Sequence, residues 1–123
     1  MLFRSLEQAA DSGHPGALVA IATFCYRVRK YIGAYAAAMG GLDAVVFTGG
    51  IGENGDGIRS RICNGMSFLG IELDDNRNTG RLRAGELTRL ISQDNALVKV
   101  LVVATDEEGM IALETTQIGR AHV

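Results

Sequence analysis

The sequence predicts an α/β domain with a mixed sheet covered by helices. Three observations carry that expectation. Segments of helical period alternate with short apolar segments rich in β-branched residues. One of those, DAVVF at residues 43–47, runs directly into a glycine-rich turn and then a second helical segment. Two further strand-like segments, 86–92 and 97–103, lie close enough in sequence to pair as a hairpin.

Taken in order, residues 6–14 form a short helix-like piece ending at Gly13, with Pro15 and Gly16 as punctuation. Residues 16–39 predict a long amphipathic helix. Leu18, Ile21, Ala22, Cys25, Val28, Ile32, Tyr35, Ala36 and Met39 recur there at spacings of three and four, and Arg27, Arg29 and Lys30 lie mostly off that stripe. Gly40 and Gly41 end it. Residues 43–47 are the central strand. Residues 58–69 predict a helix burying Ile58, Ile62, Cys63, Met66 and Leu69, with Arg59 and Arg61 facing outward or toward the preceding loop. Residues 71–73 form a short extended piece, and the polar stretch 74–85 a surface loop. The hairpin 86–103 turns at residues 92–96. Thr105 or Asp106 then caps a last helix that carries Glu107 and Glu108 in its first turn.

The chain has 123 residues and a formal net charge of −2, enough for one modest domain with its own core. No basic patch calls for nucleic acid, and the slightly acidic balance argues against a membrane surface. The apolar runs are too short to span a bilayer, and MLFRS at the start lacks the apolar core of a secretory signal. Cys25 and Cys63 fall on apolar helix faces and are read as reduced core thiols of a cytoplasmic protein. His14, beside a Pro–Gly turn, is read as a surface residue.

The stretch VVFTGGIGENGDGIR, residues 45–59, organises the rest. A strand, a glycine loop and a helix start with Asn54 at the N-cap position form a cradle for phosphate or nucleotide, because residues without Cβ admit a ligand close to the backbone and free N–H groups favour an anion. Gly50, Gly52 and Gly55 also match G-x-G-x-x-G, with Glu72 at the spacing of a ribose-binding acid. These residues alone leave open dinucleotide binding, mononucleotide binding, and a strand–helix turn whose glycines serve only packing.

The wording of the motif is more specific. FTGGIGEN followed by IR closely resembles the adenosine-binding loop of acetate and propionate kinases, members of the superfamily of sugar kinases, Hsp70 and actin. RVRKYIGAYAAAMGGLDAVVFTGGIGEN, LGIELDDNRN and VLVVATDEEGMIA stand in the family's order, and the resemblance covers nearly all of residues 6–117. It implies a partial ribonuclease-H-like nucleotide-binding domain. By residue-for-residue match, Gly50, Ile51, Gly52, Glu53 and Asn54 would border the adenosine of ATP, with Gly52 keeping the nucleotide's space open. Glu107 would be a carboxylate associated with Mg²⁺, a hard cation held by few carboxylates and the substrate phosphates. The plainer reading of Glu107 and Glu108 is that both favour a helix N-terminus.

The resemblance further implies a kinase that moves the γ-phosphoryl of ATP onto acetate or a similar short-chain carboxylate, giving ADP and acyl phosphate, with a homodimeric parent enzyme. The family's catalytic arginines, aspartate, histidine and asparagine would fall upstream, so no catalytic residue is expected here and the chain by itself is expected to be inactive. Residues 1–5 and 118–123 read as translated sequencing adapter, leaving residues 6–117 as part of a C-terminal domain. The alternatives are an NAD-binding Rossmann-type oxidoreductase built on Gly50, Gly52 and Gly55, and a non-catalytic actin-like nucleotide-binding module.

Overall fold

The structure, a computed structural model, describes residues 2–80 and 82–105. It contains helices α1 (Leu2–Asp11), α2 (Pro15–Met39), α3 (Gly49–Asn54), α4 (Asp56–Cys63) and α5 (Asp75–Thr79), and strands β1 (Ala44–Phe47), β2 (Thr88–Leu90) and β3 (Lys99–Val103). The strands form one mixed sheet in the order β1-β3-β2. β3 runs parallel to β1, with Val45 opposite Val100 and Phe47 opposite Val102. It runs antiparallel to β2, with Arg89 opposite Val102. The expected hairpin and the mixed sheet are both present.

Period-2 alternation sorts the sheet's faces. Phe47, Val100 and Val102 turn inward and join Ile91, Ile58, Ile62, Cys63 and Met66, together with Ala10, Ala17, Ile21 and Cys25 from the first two helices, in a single apolar core. Helices therefore cover this face. The opposite face carries the row Val46, Leu101 and Leu90, of which Val46 is 52% exposed.

α2 starts and stops on clear local chemistry. His14 Nδ1 accepts from the Ala17 amide at 3.2 Å, Pro15 supplies a preset φ in the first turn, and Gly40 takes the left-handed conformation at the C-cap. The buried stripe is narrower than the sequence pattern suggests. Ala17, Ile21, Cys25 and Ala36 are buried, whereas Leu18, Tyr35 and Met39 are exposed, as is Ala22. A 25-residue helix is about 37 Å long, and the strands it packs beside are half that or less, so much of α2 runs past the sheet.

Three expectations change. α1 begins at Leu2 rather than at residue 6. The helix expected over 58–69 is α4, which starts earlier and ends at Cys63, followed by a 3₁₀ turn at Ser67–Leu69 closed by left-handed Gly70. A Cβ at Gly70 would sit 2.8 Å from that of Leu97, so both its φ and its neighbour require glycine. The polar stretch 74–85 is only partly loop. Asp74 caps α5 by accepting from the Arg77 amide at 3.0 Å, and Arg77 then ties α5 to the hairpin turn through Ser92 O and Asp94. That helix was hidden because it has no apolar period to read.

Cys25 and Cys63 are buried and unbridged, as expected. Burial pushes both thiols up, that of Cys63 to about 12, against the opposing pull of nearby arginines. The thiolate is the reactive form. Both cysteines should therefore resist labelling by a disulfide reagent at mildly alkaline pH until the chain is unfolded. The unfolded Cys63 thiol ionises near 9.0 and the folded one near 12, so stability should fall as pH rises through that window. A chemical-unfolding series across those pH values checks the sign.

Candidate functional site

Because β1 and β3 are parallel, both chains leave the sheet at the same end. In open α/β sheets that end is where ligands sit. Two side-chain contacts tie the exits together. Thr48 Oγ1 donates to Val103 O at 2.9 Å. The Glu53 carboxylate accepts from the Thr105 hydroxyl at 2.8 Å and from the Thr105 amide at 3.3 Å.

Between these ties lies α3, the six-residue helix formed by GGIGEN. The glycine-rich segment expected as a tight turn is itself helical. Gly49, at φ +77°, makes the sharp entry from β1. Gly52 serves the packing of α3 against the strand: a Cβ there would meet the Phe47 backbone at 3.1 Å. Its missing side chain thus makes room for β1. Gly55 makes the joint between α3 and α4, where a Cβ would fall 2.6 Å from Ile51 O.

Asn54 is not the expected N-cap. It is the last residue of α3, and its Nδ2 donates back to Gly50 O at 3.1 Å. Gly55 stands at the N-cap of α4, and Asp56 occupies that helix's first turn. A carboxylate there disfavours a second anion at this helix start.

The largest surprise is Arg59, expected to face outward or toward the loop. It faces the loop and has no exposed surface. Its Nη1 donates to Gly52 O at 2.8 Å and to Glu53 O at 3.1 Å. Its Nε and Nη2 donate to Oδ1 and O of Asn78, at 2.8 and 2.6 Å. Asn78, itself buried, donates to Asp56 O and Ser60 Oγ. A sequence signal existed: Ile62 and Cys63 stand three and four residues after Arg59 on α4, so the three share one helical face, and the other two are core residues.

The structure thus brings Gly50, Ile51, Gly52, Glu53 and Asn54 together on α3 at the sheet end; Gly50 and Asn54 are exposed, the other three half-buried. Glu107 and the helix expected after residue 105 lie outside the described residues. Among the described residues, no group of three or more His, Cys, Asp or Glu could hold a metal ion. No described helix is long and apolar enough to cross a membrane.

A parallel strand pair opening onto a short glycine-rich helix defines an α/β domain whose two strand exits meet at one end of the sheet. The model of the acetokinase family matches residues 2–113, and the chain belongs to that family. It is 51% identical over 113 residues to the acetate kinase of Treponema denticola, covering 92% of this chain. It is 46% identical over 120 residues to the propionate kinase of Citrobacter rodentium, covering 98% of this chain. The chain spans about 28% of the length of these relatives. Among solved structures, the acetate kinase of Porphyromonas gingivalis superposes with a TM-score of 0.80 at 45% identity, covering 94% of this chain and 28% of the other. That of Entamoeba histolytica gives 0.82 at 30% identity, covering 94% and 30%. The fold is accordingly a partial ribonuclease-H-like kinase domain. The Rossmann alternative gives way, since Gly50 and Gly52 both lie within α3 rather than in a strand-to-helix turn.

Gly52→Val should destabilise the chain by about 1–3 kcal/mol by forcing α3 off β1. Equilibrium unfolding in urea measures this, and an unchanged midpoint would remove the packing role assigned to Gly52.

Proposed function

We propose that this chain is part of the nucleotide-binding domain of an acyl-phosphate-forming kinase. In this reading the parent protein transfers the γ-phosphoryl of ATP to acetate or a similar short-chain carboxylate, reversibly. The observation that carries it is the family match over residues 2–113, which includes all of β1 and α3. Names of relatives supply the acid class: acetate for one, propionate for another.

The chemistry asks little covalent work of the protein; positioning and charge neutralisation dominate. The described residues supply positioning. The exposed backbone of Gly50 and the Asn54 amide, which both donates and accepts, form a wall for adenine and ribose. The Glu53–Thr105 and Thr48–Val103 bonds hold the two strand exits at a fixed separation, so that wall keeps its distance from the segment after β3. Mg²⁺ would neutralise phosphate charge, with Glu107 as its candidate carboxylate. The catalytic groups belong to a longer chain than this one. Homodimeric assembly and cytoplasmic residence are part of the same proposal; the exposed tyrosines of α2 offer the assembly an apolar surface.

Ligand-observed NMR on the chain should detect ATP and adenosine but not nicotinamide mononucleotide. Asn54→Ala should weaken ATP by about fivefold to tenfold, the worth of one hydrogen bond. Mixing the chain with ATP, magnesium and acetate should yield no acyl phosphate above background, whereas the same sequence extended to the length of its relatives should yield it with acetate or propionate. Failure of the extended protein to phosphorylate either acid would overturn the proposal.

A further inference from the structure

α3 sits at the centre of the candidate site, yet little of its own holds it there. It has six residues, none of them fully buried, and among them Ile51 packs half-buried against the core. A helix that short is unstable alone, and its last carbonyls need partners from elsewhere. Arg59 provides them. Its guanidinium donates to Gly52 O and Glu53 O at the C-terminal end of α3, where positive charge is favoured. The same fork reaches Asn78 on α5 through two further bonds. Arg59 rides on α4, which is seated in the core through Ile58 and Ile62.

We propose that Arg59, steadied by Asn78, is a positioning residue for the nucleotide: it sets the orientation of α3 and so of the wall that Gly50–Asn54 offers to adenosine. The inference rests on the reading of α3 as that wall. Arg59 has no exposed surface, so it acts through α3 and does not itself touch ligand. Gly52 fixes how closely α3 approaches β1. Arg59 fixes its tilt, because two adjacent carbonyls and Asn78 are engaged at once by a planar group. Lysine, with a flexible stem and no fixed fork, does not reproduce this.

The test uses the whole chain with Arg59→Lys, Arg59→Met and Asn78→Ala. Backbone amide exchange reads the order of α3, and ligand-observed NMR reads binding of adenosine, ATP and inorganic tripolyphosphate. In Arg59→Lys, unfolding should stay cooperative and β3 amides should keep their protection. The α3 amides should exchange about tenfold faster or more, and adenosine and ATP should weaken by the same factor with tripolyphosphate unchanged. Asn78→Ala should give the same pattern to a smaller degree, and it carries the test if Arg59→Met fails to fold. Unchanged α3 exchange in Arg59→Lys overturns the proposal. So does a loss confined to ATP and tripolyphosphate with adenosine unaffected, since that marks a direct phosphate contact. If the unsubstituted chain binds neither adenosine nor ATP, the nucleotide role falls with the reading beneath it. Faster α3 exchange in the variants would then still identify Arg59 as the holder of this helix.

Discussion

The parallel pairing of β1 with β3 is the constraint on which the rest depends. Its partners, such as Phe47 and Val102, are far apart in sequence, and everything between them must be folded into a crossover before the pair can close. α4 fills that crossover with the apolar residues Ile58, Ile62 and Cys63, and β2 folds back on the far side of β3 to pair with it. The pairing also sends both strand exits to one end of the sheet. That common exit makes Thr48, Glu53, Val103 and Thr105 neighbours, and nothing local to either segment would do so.

The site is built with polar contacts because it lies at the edge of the core. The interior face of the sheet ends at Phe47 and Val102. Beyond them α3 offers the core only the half-buried Ile51, so backbone carbonyls, a guanidinium and a carboxylate do much to define its place. Such contacts are directional where apolar packing is not. A short helix held this way has a defined orientation while its outer backbone, at Gly50, stays open. The arrangement carries a cost: removing one partner of the buried Arg59 network leaves the others unsatisfied, typically at about 1–3 kcal/mol.

Within this crossover three glycines of the motif have separate tasks. Gly49 turns the chain, Gly52 admits β1, and Gly55 joins two helices at an angle. Read as a string, G-x-G-x-x-G suggests one function for all of them, yet of its three glycines Gly50 lies open to solvent, Gly52 is half-buried and Gly55 is buried. The glycines' shared property is the absence of Cβ, and the use made of it depends on what stands opposite.

Local chemistry was legible in the sequence. The α2 span, the strand 43–47, the hairpin and its turn, and the helix stops at glycine follow from periodicity, β-branching and backbone freedom, all properties of neighbours in the chain. The family was legible too, because its motif is a contiguous string. What the sequence did not determine was every feature that depends on a distant partner. Leu18, Tyr35 and Met39 have the right spacing to be buried, but α2 is longer than the layer it packs on. Arg59 has the composition of a surface residue, and Asn78 that of a loop. Only the packing of α3, α4 and α5 around one point brings carbonyl and amide acceptors to the guanidinium. Burial of a charge is decided by whether such acceptors converge in space, and that convergence belongs to the tertiary structure.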